Sequence, residues 1–166
     1  MKTRYTVQCG LLASLMCVLS IVAIPLPSGI PMTLQTFGAA LCGCVAEKKR
    51  GSIAVAVYLF LGALGLPVFA GGRGGVAALF SLSGGFLFGF LFLSFFCGLG
   101  TQTQKHYWIG VGLFLCHFMG VVQFSVVGNT RWTAAFVAVS LPYIMKDILL
   151  VYGAWYVAKI MRKIQS

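Results

Sequence analysis

Few residues in this 166-residue chain carry acid–base or ionic chemistry: Glu47 and Asp147, twelve lysines and arginines, and His106 and His117. Each familiar arrangement of such groups fails on inspection. The stretch Gly72-Arg73-Gly74-Gly75-Val76-Ala77 satisfies the dinucleotide pattern G-x-G-x-x-G/A, but that pattern needs an acid some way downstream, and none occurs between Glu47 and Asp147. No G-x-x-x-x-G-K-[ST] occurs, so the chain has no P-loop of its own for ATP. Cys42-Gly43-Cys44 has the look of a redox or metal pair, yet no ligand cluster accompanies it. What remains is a set of lone ions: Arg73 inside a glycine run, Arg131, and the neighbours Lys146-Asp147. A lone ion in apolar surroundings either pairs with an opposite charge or lines a polar pathway.

The surroundings are apolar indeed. Hydrophobic residues make up 60% of the chain and charged ones 8%, and the mean hydropathy is +0.97. A soluble domain of this size cannot hide so much apolar surface, so the solvent must be lipid. The net charge of +10 does not point to nucleic acid, because the basic residues stand at the ends of apolar runs rather than in stripes. The six cysteines, Cys9, Cys17, Cys42, Cys44, Cys97 and Cys116, all fall in apolar segments and read as small packing residues.

Stepping from these ions to what must hold them, the apolar runs divide a single domain, 1–166, into six spans at about 8–25, 33–47, 51–66, 84–100, 107–127 and 143–161. The fold class is an all-α membrane protein of six transmembrane helices. The connection 67–83 reads as re-entrant, lining a water-accessible cavity. The first run has a basic start but no A-x-A cleavage site, and is expected to be a retained span. Six spans put both termini and the loops 47–51 and 101–106 on one side, with nine basic residues against three, which makes that side cytoplasmic. His106 then lies near the cytoplasmic interface and His117 reads as a core histidine. Glu47 and Asp147 fall on opposite sides, which excludes catalysis by paired carboxylates. Arg131 and Lys146 have stems long enough to snorkel to the outer interface. Asp147 does not, and is the strongest candidate for a site residue. The spacings Ala13-x-x-x-Cys17 and Gly85-x-x-x-Gly89 bring helices close, either within the bundle or against another subunit.

Four segments carry a resemblance: "IPLPSGIPMTLQTFGAALCG" (24–43), "KKRGSIAVAVYLFLGALGLPVFAGGRGG" (48–75), "SGGFLFGF" (83–90) and "LPYIMKD" (141–147). Together they are similar to the BioY family, the biotin-specific S components of energy-coupling-factor (ECF) vitamin transporters. The resemblance implies a six-helix S-component bundle with both termini cytoplasmic, in the bacterial cytoplasmic (inner) membrane. It implies biotin as substrate, no cofactor and no metal, and the partners of such subunits: a transmembrane coupling subunit and ATPases, although some members work without that module. It implies a pocket built from Gln35, Gly71, Gly72, Arg73, Gly74, Ser83, Gly84, Gly85, Phe86, Lys146 and Asp147. On that reading Asp147 accepts from the ureido N–H groups, Arg73 or a lysine neutralises the valerate tail, and the glycines let backbone approach the ligand. The face of the first helix bearing Gly10, Ala13 and Cys17 is the expected dock for a coupling subunit.

The chain departs from the family in two places. Ser81-Leu82-Ser83-Gly84-Gly85-Phe86 stands where the family reads G-P-T-G-G-Y, and Leu150 stands where P-G-D-x-x-K carries its lysine. Lys146, next to Asp147, projects about 100° away on a helix, so a rearranged charge pair or weaker biotin binding is expected. An S component for another vitamin is the alternative, with a membrane-embedded enzyme or scaffold behind it.

Overall fold

Backbone in lipid has no water to bond to, so it satisfies its polar groups within helices, and this chain is mostly helical. A computed structural model describes residues 2–26 and 29–165; Met1, Pro27, Ser28 and Ser166 lie outside it, as do the side chains of Lys2 and Gln165. The Pro27-Ser28 portion of the 24–43 segment therefore falls outside the described residues.

Helix α1 (Lys2–Ile21) is followed by two short antiparallel strands, β1 (Ala23–Ile24) and β2 (Met32–Thr33), paired Ala23 to Thr33 and Ile24 to Met32. The expected first span reached residue 25, but Pro25 disfavours helical conformation at the residue before it, and the chain turns into the ladder instead. Next come α2 (Gln35–Ala63), a 3-10 turn (Ala70–Gly72), α3 (Val76–Leu79), α4 (Gly84–Thr103), α5 (Tyr107–Val127), α6 (Trp132–Val139) and α7 (Leu141–Gln165). Among them α5 has the bounds read from the sequence, and α4 runs on to Thr103, where Gln104 turns left-handed (φ 58°) and returns its N–H to Gly100 O.

The spans expected at 33–47 and 51–66 form the two arms of α2, which breaks at Glu47 (φ 69°, ψ 168°). The break reverses the chain: a Cβ at Gly51 would stand 2.5 Å from Cys42 O and 2.6 Å from the Cα of Gly43, an approach a continuous helix does not permit. The last expected span, 143–161, is longer and has a helix before it that the sequence reading lacked: α6 meets α7 at a 48° bend.

Among the described residues three helices, Thr3–Ile21, Gly84–Thr103 and Tyr107–Val127, are long and apolar enough to cross a bilayer, with a fourth where the bent α6–α7 pair counts as one span. The core is continuous from Leu12, Ala13 and Met16 of α1 through Tyr58 of α2 and Leu93 of α4 to Val151 and Ala154 of α7. Close approach between α4 and α5 rests on Gly85-x-x-x-Gly89. A Cβ at Gly85 would collide with Met119 O, and one at Gly89 would lie 2.8 Å from the Cα of Cys116. That small-residue pair is therefore an internal seam.

Ala13 is internal as well. It is 2% exposed, which corrects the expectation that it faces a coupling subunit, while Cys17 is half-buried with part of its surface against the core. Of the three dock residues only Gly10 is exposed, with open space where a Cβ would be. One turn on, Ser14 is exposed too, its hydroxyl donating to Gly10 O at 2.9 Å.

A cavity between the helix 1–2 connection, the glycine loop and helix α7

Asp147 sits two turns into α7 and is 5% exposed. A buried carboxylate needs a compensating charge or hydrogen-bond donors, and two groups stand beside it: Lys146 Nζ at 2.7 Å from Oδ1 and His117 Nε2 at 3.3 Å from Oδ2. Lys146 reaches round the helix on its long stem and also donates to Thr33 O at 3.1 Å, tying α7 to β2. The pair is thus rearranged rather than lost with the lysine that Leu150 replaces. His117 comes from α5, with Ser140 Oγ 3.0 Å from its Nδ1. Although these groups are close, neither Asp147 Oδ1 nor His117 Nε2 has an aligned hydrogen-bond partner among the described residues. Buried polar atoms without such a partner are rare in folded proteins and call for an explanation; two of them meet here.

Asp147 and Lys146 line a cavity of about 550 Å³, counting its open mouth. The enclosed part of that space is about 40 Å³. Gln35, Arg73, Ser83 and Phe86 share the lining, so six of the eleven residues expected to touch a ligand meet at one place. Gln35 is fixed at the start of α2, donating from Nε2 to Tyr58 OH at 2.6 Å and accepting at Oε1 from Thr33 Oγ1 at 2.9 Å. The apolar wall includes Phe69, Phe86, Leu87 and Phe90.

Arg73 is exposed at the rim, its Nε donating to Ala70 O at 3.1 Å. The loop that holds it closes on α2: Gly75 N donates to Gly62 O at 2.7 Å, and the buried Phe69 ring lies over Gly62 and edge-on to Tyr58 at 5.6 Å. Gly71 (φ 71°), Gly72 (φ 73°) and Gly75 (φ 90°) take left-handed conformations that disfavour other residues. The glycines shape the loop; Gly71, Gly72 and Gly74 do not line the cavity. Neither do Gly84 and Gly85, whose missing side chains make room for Leu79 O and for α5.

Several residues of this arrangement carry no signal in the sequence. Thr33, Thr36, Phe69 and Tyr143 line the cavity, and the Tyr143 hydroxyl donates to Ile30 O. Gln123 of α5 donates from Nε2 to both Leu79 O and Ser81 O at 2.8 Å, pinning the loop that carries Ser83. A lone glutamine or phenylalanine in an apolar run carries no signal of such a contact. His117, expected to be a core histidine, is buried, but against the one acid of the site.

The family model that matches this chain is described as the BioY family and covers residues 1–166. The chain is 34% identical to a biotin transporter BioY from Thermotoga maritima, over 98% of both chains. It is 34% identical to one from Rhodobacter capsulatus, over 90% of this chain and 88% of the relative, and 36% identical to a biotin transporter BioY2 from Lactococcus lactis subsp. cremoris, over 76% and 68%. Among solved structures, the crystal structure of the S-component for biotin from an ECF-type ABC transporter superposes with a TM-score of 0.89 at 24% identity, over 98% of this chain and 92% of that one. That likeness establishes the fold.

Proposed function

The chain belongs to the BioY family, and from that premise we propose that it is the biotin-capturing membrane subunit of a vitamin uptake system. Its family and relatives are transporters, and its apolar helices belong in a membrane. The observation that carries the reading is the buried Asp147 carboxylate at the wall of a cavity it shares with Gln35, Arg73 and Phe86. Biotin has two ureido N–H donors at one end and a carboxylate at the other. The ureido end sits at Asp147, where an ionised acceptor in a low-dielectric pocket makes charge-assisted bonds. The apolar ring system packs against Phe69, Phe86 and Phe90. The tail runs to the rim, where Arg73 offers a guanidinium to its carboxylate.

The remaining topology is part of the same proposal. Both arms of α2 cross the membrane with α1, α4, α5 and α7, giving six spans in one domain. The nine basic residues at the termini and at 47–51 and 101–106 face the cytoplasm of a bacterial cell, and the cavity opens outward. With no P-loop in the chain, uphill uptake draws on a separate coupling subunit and ATPases. Its dock is the outward face of α1 around Gly10, where Ser14 takes over the small-residue role assigned to Ala13 and Cys17. Uptake of labelled biotin by a biotin-auxotrophic host tests the reading. Expression of this chain, with a coupling module where the host has none, is expected to restore uptake that excess unlabelled biotin abolishes and other vitamins do not. Uptake blocked instead by a different vitamin would reassign the substrate.

A further inference from the structure

His117 is 5% exposed on α5, and it and Ser140 are hydrogen-bonding side chains in a groove otherwise lined mostly by residues such as Phe114, Phe118 and Phe136. A side chain that only filled this space would be better apolar, since a buried polar group without a partner costs stability. The imidazole instead has a polar neighbour at each nitrogen, a hydrogen-bonding hydroxyl at one and a close carboxylate at the other. Ser140, 0% exposed at the α6–α7 bend, has its Oγ 3.0 Å from Nδ1, and Asp147 Oδ2 is 3.3 Å from Nε2. The tautomer follows from the partners. An ionised carboxylate only accepts, so the proton belongs on Nε2, and Nδ1 accepts from the Ser140 hydroxyl. The Phe86 ring stands edge-on to the imidazole at 5.8 Å, so a cavity-lining side chain flanks the histidine.

We propose that His117 is a positioning residue for biotin recognition: it clamps one oxygen of Asp147 while Lys146 clamps the other, so that the carboxylate is presented to the ureido N–H groups in one fixed orientation. This rests on the functional reading above. Lys146 alone does not suffice for the task, because it leaves from the same helix one residue away and pulls only on Oδ1. His117 joins a second helix to the carboxylate plane and supplies the opposing restraint. Orienting an acceptor before the ligand arrives removes an ordering cost from binding.

The test is equilibrium binding of biotin to purified protein in four forms: wild type, His117→Leu, His117→Gln and Asp147→Asn, with His117→Leu also placed in the Asp147→Asn background. Leucine fills the volume without a donor, whereas glutamine keeps an N–H near the Nε2 position. His117→Leu is expected to weaken biotin roughly tenfold, the scale of losing a polar contact to a charged group, and His117→Gln to recover most of that loss. Because the effect acts through the carboxylate, His117→Leu is expected to cost almost nothing further once Asp147 is Asn. An unchanged affinity in His117→Leu, an equal loss in both backgrounds, or no recovery by glutamine would each overturn the proposal. Should His117→Leu fail to fold, Ser140→Ala replaces it, with an expected loss of about threefold that again vanishes in Asp147→Asn. The wild-type arm separates the two claims. No biotin binding by wild type overturns the functional reading along with this one, whereas wild-type binding with His117→Leu unaffected overturns this one alone.

Discussion

Lys146 Nζ lies 2.7 Å from Asp147 Oδ1, although the two residues are consecutive on α7 and their Cα–Cβ bonds diverge. The contact is made by the length of the lysine stem, which folds back over the helix and stops at Thr33 O. It leaves the carboxylate neutralised at the cavity wall without a separate lysine one turn further along.

Replacing Asp147 by Asn keeps the size and one acceptor but removes the charge. Biotin affinity is expected to fall roughly tenfold or more, the worth of a charge-assisted bond. Titration of the purified variant checks this. If Asp147 served only to balance Lys146, removing both charges together would restore wild-type affinity; the expected result is that the double variant stays weak.

Lys146→Met leaves the buried carboxylate with His117 alone beside it. Fully buried pairs cost about 3–5 kcal/mol when one partner goes, but the Lys146 side chain is 21% exposed, so solvent screening reduces the penalty. A lowered thermal midpoint of the ligand-free protein, partly restored by adding Asp147→Asn, is the expected outcome. A midpoint unchanged by Lys146→Met would show that the pair carries no stability.

Arg73 stands at the rim and its contact with Ala70 O leaves the rest of the guanidinium toward solvent. Arg73→Ala is expected to weaken biotin more than biotin methyl ester, because only the acid loses an ion pair. Equal losses for the two ligands would assign the effect to the loop and not to charge.

The first helix separates two roles. Gly10→Trp places a large side chain on an exposed face and is expected to block assembly with a coupling subunit while leaving biotin binding intact. Ala13→Trp enters the core, where overpacking costs about 1–3 kcal/mol or more, and is expected to lower the thermal midpoint of the isolated protein. Co-purification and thermal scans of both variants decide it; the reverse pattern would restore Ala13 to the dock.

The elements most legible in the sequence were those where a single property governs. Apolar length alone marked Gly84–Thr103 and Tyr107–Val127, and the cost of burying a short-stemmed carboxylate singled out Asp147. At 47–51 the sequence implies a loop between two spans, and the break there is one residue, Glu47, at positive φ. α6 escaped notice because eight residues of apolar sequence look the same in a helix or a loop. The glycines misled in a different way. A resemblance transfers a segment but not the direction its residues face, and Gly84 and Gly85 face α5 and Leu79 O rather than the cavity. Pairing across the bundle, as of His117 with Asp147 or Gln123 with Leu79, joins residues 30 and 44 positions apart, and nothing local announces it.

Calorimetric titration of the purified wild-type protein with biotin, in the absence of ATP and metal ions, tests the central claim most directly. A saturable heat for biotin, shared by ligands that keep its ureido ring and absent for unrelated vitamins, is the predicted result. No heat with biotin, together with a clear signal from another vitamin, would contradict it.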